Sequence, residues 1–194
     1  MFDATRSKIA ARMRRLIPAR IARRFVRRQD GAAAVEFALV AAPFLALTFA
    51  ILETAFVFFA GQTLEATAAD SARLIMTGQA QTAGYSKADF KTAVCSRVFG
   101  LFDCANGMNV DVKTYSNFAT VNNTPPVSNG QLDTSNMAYI PGGPSCIVVV
   151  SLYYQWPIYV SMFGNSLSNL NGNKRLLVAT SVFRNEPYGP AGSC

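Results

Sequence analysis

Residues 37–60 read FALVAAPFLALTFAILETAFVFFA, a run that is apolar except for Glu53 and two threonines. As an α-helix rising about 1.5 Å per residue it is about 36 Å long, enough for a hydrocarbon core of about 30 Å. A buried soluble helix has the same composition, so the flanks decide. Residues 1–30 hold nine Arg and Lys8 against Asp3 and Asp30, a net +8; the remainder holds eight basic and nine acidic residues, a net −1. A cationic flank on one side of an apolar helix keeps that side in the cytoplasm, so the C-terminal part is expected to be exported. Cys95, Cys104, Cys146 and Cys194 all follow the apolar run, which suits an oxidising compartment. A cleaved secretory signal fits less well. Its charged region would be too long, its apolar region exceeds the usual 7–15 residues or so, and Phe58 and Ala60 make a poor cleavage site. An organelle transit peptide shares the Arg-rich, acid-poor start and is the remaining competitor.

The basic pI therefore belongs to the first thirty residues. A nucleic-acid groove would interleave Lys and Arg with aromatics through the fold, and this chain does not, so no nucleic-acid partner is expected. Within residues 5–28, Ile9, Met13, Leu16, Ile17, Ile21 and Phe25 recur at helical spacing opposite the arginines. They read either as a solvated tail or as a basic amphipathic helix on anionic lipid. Pro18 interrupts that pattern.

Beyond Ala60 the helical pattern continues through GQTLEATAADSARLIMTG, with Leu64, Ala68, Ala72 and Ile75 at three- and four-residue steps. Asp70 and Arg73 are spaced for an i,i+3 pair, and Gly78 supplies a stop. The domains expected are a basic leader, 1–31, and a long helix, 32–78, in the membrane to about residue 60. An exported domain, 79–194, completes the chain. Its fold class is α+β, a short helix packed on an antiparallel sheet of about three strands. Ser86-Lys87-Ala88-Asp89 resembles a capping box before Phe90, Val94, Val98 and Leu101. MNVDVKTY at 108–115 alternates as a strand, CIVVVSLYYQW at 146–156 is a second, and LLVATSVFR at 176–184 a third. The second places Val148, Val150, Leu152, Tyr154 and Trp156 on one face and turns polar at Ser151 and Gln155, so it is expected to cover a core on one side only. Residues 116–145 are rich in Asn, Pro, Ser and Gly and read as a long exposed loop available for partner contacts.

One carboxylate, Glu36, sits near the start of the apolar helix, five residues after Gly31. A charged side chain there needs a cationic partner or tends to take up a proton. If the chain were cut after Gly31, Ala32 would carry a new positive amine four residues from Glu36, and the cationic leader would be lost. Ala34, Ala38, Ala42, Ala46 and Ala50 recur every fourth residue, a small-xxx-small series that lets helices approach closely. Pro43 removes one helical hydrogen bond. Glu53 lies seventeen positions after Glu36, about 260° around the helix, so the two do not share a face. It reads either as a contact to a partner subunit or as the mark of a span displaced toward the cytoplasm.

Glycine, four residues, then Glu-Phe opening an apolar helix resembles the prepilin processing motif of the tight-adherence (Tad, Flp) branch of type IV pili. The run Gly31-Ala-Ala-Ala-Val-Glu36-Phe37-Ala-Leu-Val, with Pro43 and Ile51-Leu52-Glu53, is similar to the TadE-like minor pilins or pseudopilins, as is the continuation through Ala68, Ala69 and Ala72-Arg73. The resemblance is strong over about residues 30–77 and returns weakly at Tyr153-Tyr154 and Phe183–Pro187. Phe37 stands where major Tad pilins carry Tyr and is common among the TadE-like relatives. The resemblance implies a prepilin peptidase acting at Gly31-Ala32, with Glu36 pairing to a neighbour's mature amine and Phe37 completing the motif. It implies other pilins and pseudopilins and an inner-membrane assembly platform as partners. It implies subunit packing through Glu36, Ala38, Ala42, Pro43, Ala46 and Glu53. The function expected is assembly of a Tad-type pilus for surface adhesion, from a single-pass position in a bacterial inner membrane. The alternative is an uncleaved anchored protein whose exported domain binds a partner or ligand.

Four cysteines allow three full pairings. The preferred one closes Cys95–Cys104 after the short helix and ties the tail through Cys146–Cys194. The chain has no histidine, so neither a Ser/His/Asp nor a Cys/His set can be built. No CxxC pair or glycine-rich phosphate loop is present. No cofactor, no metal and no enzymatic activity are expected.

Overall fold

The structure is a computed structural model that describes residues 30–98, 100–160, 167–190 and 194. The amphipathic pattern at 5–28, and with it most of the expected leader, lies outside the described residues. A long apolar helix, α1 (Asp30–Met76), opens the described chain. It leads into a small domain with short helices and an antiparallel sheet of three strands. Contacts divide the chain into two units, Met1–Thr48 and Phe49–Cys194. In the first, α1 buries none of its residues from Gly31 to Thr48.

In the second unit α1 changes character. Glu53, Val57, Ala60, Leu64, Thr67, Ala68, Ser71, Ala72 and Ile75 are buried. Steps of three and four keep them on one face of a helix. Small residues predominate in the later turns, which lets the backbone approach its neighbours closely. Gly78 follows at φ 78°, a left-handed conformation that glycine adopts without a Cβ clash. The i,i+3 pair expected of Asp70 and Arg73 is not made; the ion pair among the described residues is Lys113–Asp111, at 2.8 Å. Exposed side chains gain little from pairing in water and lose rotamer freedom.

After α2 (Gln79–Thr82), helix α3 (Lys87–Cys95) begins at the expected capping box. Ser86 Oγ accepts from the Asp89 amide at 3.3 Å, and the Asp89 carboxylate accepts from the Ser86 amide at 2.9 Å. The Ser86 hydroxyl, donating at 2.6 Å, and then the Ser86 amide hold the Asp89 carboxyl below its ordinary pKa. Phe90 and Val94 enter the core, with Val98 and Leu101 against it. A one-turn helix, α4 (Cys104–Gly107), then leads into the sheet.

The sheet consists of β1 (Met108–Tyr115), β4 (Ile147–Pro157) and β5 (Lys174–Arg184), ordered β1-β4-β5 and antiparallel throughout. All three strands fall where alternation placed them. On one face Val110, Val112, Val148, Val150, Leu152 and Ala179 join Phe90, Val94 and the α1 stripe in the main core. The expectation of a single covered face fails. Val149, Ser151 and Tyr153 on the other face of β4 are also buried, because Leu132, Met137 and Leu170 pack over Tyr153, Leu176 and Val178. A central strand with both faces covered tends to a continuous apolar run, and IVVV followed by LYY is such a run.

The cover comes from the segment expected to be a free loop. Its hairpin, β2 (Val127–Ser128) with β3 (Gln131–Leu132), turns at Asn129 and Gly130 with φ 52° and 72°. Two positive φ angles match the two-residue type I′ turn that Asn-Gly favours. Residues 138–140 bridge the outer edge of β1: Val112 N–H donates to Ala138 C=O at 2.9 Å, and Ile140 N–H to Val112 C=O at 2.8 Å. Asp111 is buried there but accepts from the Ala138 amide at 2.8 Å as well as pairing with Lys113. A cleft of about 350 Å³ remains between this cover and the sheet, lined by Asp111, Lys113, Tyr115, Pro125, Ser151 and Tyr153.

Candidate functional site

The expected processing residues open α1. Gly31 lies in helical backbone, and a Cβ placed on it would meet nothing within 4 Å. Glycine inside a helix costs about 1 kcal/mol relative to alanine, and packing gives no reason for it here. Gly61, in the same helix, is equally unhindered. Openness alone does not single out Gly31; its spacing to Glu36 does. Ala32 and Glu36 are exposed and Phe37 is 75% exposed. Glu36 makes no hydrogen bond or ion pair with any described residue. Ala38, Ala42 and Pro43 are exposed and Ala46 is half-buried. The helix runs unbroken through Pro43. These positions meet no partner among the described residues, and at about 100° per residue they are spread around the helix rather than along one face.

Glu53 is placed differently. It is 8% exposed. One carboxylate oxygen accepts from the Tyr159 amide at 2.5 Å and the other from the Val160 amide at 2.9 Å. Hydrogen bonds to an ionised acceptor are shorter and stronger than neutral ones. Both oxygens are thus engaged by the chain's own backbone, at residues that directly follow β4. Ile158 N–H donates to Asn173 C=O at 2.8 Å and fastens the same loop to the start of β5. No spacing rule links residue 53 to residue 159, so the sequence carried no signal for this contact.

The four cysteines form two bridges, Cys95–Cys104 and Cys146–Cys194. The first joins the end of α3 to the start of α4, and the second ties the C-terminus to the residue before β4. Beside the first bridge, Phe102 meets Tyr154 edge-on with ring centroids 4.8 Å apart. Tyr154 Oη accepts from the Asp103 amide at 3.2 Å. No free thiol is left to act as nucleophile or ligand, and among the described residues no group of acidic or cysteine side chains is arranged to hold a metal ion.

A helix long and apolar enough to cross a membrane, begun by Gly31 and Glu36 and packed on a disulfide-bonded domain only in its later turns, can be compared with known families. The model of the TadE-like protein family matches residues 31–73. The resemblance read from Gly31, Glu36 and Phe37 therefore holds over α1. The TadE-like match starts at Gly31 and covers both the free and the packed parts of the helix, and it stops before α2 and the sheet. No curated protein and no solved structure matches the chain.

Proposed function

We propose that this chain is a minor pilin or pseudopilin that takes part in assembling a Tad-type pilus. In this reading a prepilin peptidase hydrolyses the Gly31–Ala32 bond, and residues 1–31 are the cytoplasmic leader that is removed. The observation that carries it is the TadE-like match over residues 31–73, which begins at the glycine and lies on a helix whose first turns bury nothing. The family match supports an involvement in the Tad pilus system, with other pilins and assembly components as partners. Members of such a family are structural parts of a pilus rather than enzymes.

Cleavage would leave a positive amine at Ala32, four residues before Glu36, a carboxylate without a partner among the described residues. Pairing the amine of one subunit with Glu36 of another neutralises both in a low-dielectric layer, where an unpaired charge is costly. Each subunit would thereby set the axial register of the next. Removal of the leader also takes away the ten cations that favour anionic lipid and hold the N-terminus in the cytoplasm. The exported domain, from about residue 79, would stand in the periplasm until the subunit joins a filament through the inner-membrane assembly platform. Mass spectrometry of the native chain, extracted from cells that hold a working prepilin peptidase, tests the reading. A mature N-terminus at Ala32 is expected. An intact leader overturns processing and leaves the uncleaved anchor as the function.

A further inference from the structure

Two of the carboxylates of α1, Glu36 and Glu53, also mark where a bilayer would lie, given the reading that this helix spans one. Residues 158–160 form neither helix nor strand, and Tyr159 is 84% exposed. Their amides at 159 and 160 are held on Glu53. Irregular backbone facing lipid does not occur in hydrocarbon, where peptide groups find no water to bond. On this argument the hydrocarbon-embedded part of α1 ends at or before Glu53, short of the boundary near residue 60 expected from the apolar run. Counting about 20 residues, or about 30 Å, back from Leu52 reaches Ala33. Glu36 then lies about one turn inside the inner boundary, and residues 158–160 lie on the outer one.

We infer that residues 158–160 are a membrane-surface contact whose partner is the lipid headgroup layer, with Tyr159 as its interfacial aromatic and Glu53 as the positioning residue that holds the loop there. Tyrosine suits that layer because its ring is apolar and its hydroxyl polar. Phe56, Phe58 and Phe59, exposed aromatics of α1, follow Glu53 within about 9 Å along the helix axis. Ile158, by contrast, is buried, so the loop is anchored in the domain on one side and offers Tyr159 on the other.

The test uses the full chain in phospholipid vesicles, with a nitroxide on a single introduced thiol, since all native cysteines are bridged. Tyr159→Cys is compared with Leu47→Cys in the span and Asn123→Cys in the cover of the sheet, all at exposed positions. Collision with membrane-soluble oxygen and with a water-soluble nickel chelate is read by power-saturation electron paramagnetic resonance. The expected oxygen-to-nickel ratio at 159 lies between those at 47 and 123, and is several-fold above that at 123. A ratio at 159 equal to that at 123, with the label at 47 still shielded from nickel, overturns the contact while the span stands. A label at 47 open to nickel removes the spanning reading and the contact with it. Adding Glu53→Gln to Tyr159→Cys is expected to broaden the distribution of depths; an unchanged depth would remove Glu53 from its positioning role.

Discussion

Glu53→Gln is the substitution that separates an internal clamp from a spare charge. In the native chain one carboxylate receives two amides, at 2.5 and 2.9 Å. The amide side chain keeps one acceptor oxygen and sets an NH2 donor against the other backbone N–H. One hydrogen bond to a charged group is lost, worth about 1.5–3 kcal/mol, and one donor is left unpaired. Taking about 2 kcal/mol, the unfolding midpoint of a unit of this size should fall by about 4–8 °C. Amide exchange at residues 159 and 160 should accelerate by about 30-fold if the loop opens locally. Thermal unfolding in micelles, followed by near-ultraviolet circular dichroism, reads the first quantity, and hydrogen exchange with fragment mass analysis reads the second. Glu53→Gln with native melting and native exchange over residues 158–160 would refute the clamp.

The bridges should differ in worth. In the chain-entropy account, removing Cys146–Cys194, whose partners are 48 residues apart, costs about 4 kcal/mol, against about 3 for Cys95–Cys104 at a separation of 9. Denaturant titration of the paired Cys→Ala variants checks the order. Tyr139 packs on Phe90 with ring centroids 5.4 Å apart, while its hydroxyl is buried without a hydrogen-bond partner among the described residues. Tyr139→Phe should therefore be neutral or stabilising, within about 1 kcal/mol. Burial pushes the Tyr139 phenol up to about 12 from 10.0. Above pH 10 the unfolded chain releases this proton first, so stability should decline from pH 10 toward 12, and melting curves should show a shallower decline in the Phe variant. Gly78→Ala meets the Tyr188 ring at 2.6 Å in a left-handed backbone, and should cost about 1–3 kcal/mol in the same melts. Glu36→Ala should insert normally yet fail to co-purify with other pilins; normal piliation would count against its register role.

What was legible before the fold was known is what repeats along the chain. The apolar run of α1, the alternation of β1, the capping box at Ser86 and Asp89, and the stop at Gly78 are local patterns, since backbone geometry turns each spacing directly into a face or an end. The Asn129-Gly130 turn is a local pattern of the same kind, a dipeptide that favours a two-residue hairpin turn. The asymmetric charge and the glycine-to-glutamate spacing at Gly31 and Glu36 likewise required no tertiary information. Other features depended on residues far apart in sequence. Ser151 appeared polar and outward, yet it is buried because residues 116–145 fold back over β4. The preferred pairing, Cys95–Cys104 and Cys146–Cys194, is the one the structure shows; the first bridge is local, and only the second needs a distant segment brought back to Cys146. Glu53 reaches amides more than a hundred residues away. Contacts of that kind arise when packed elements bring distant segments together, and they leave no period along the chain. The sequence by itself therefore determined the rod, its charge and its strands, whereas only the packed domain decided which carboxylate of that rod is held internally and which is left to meet another molecule.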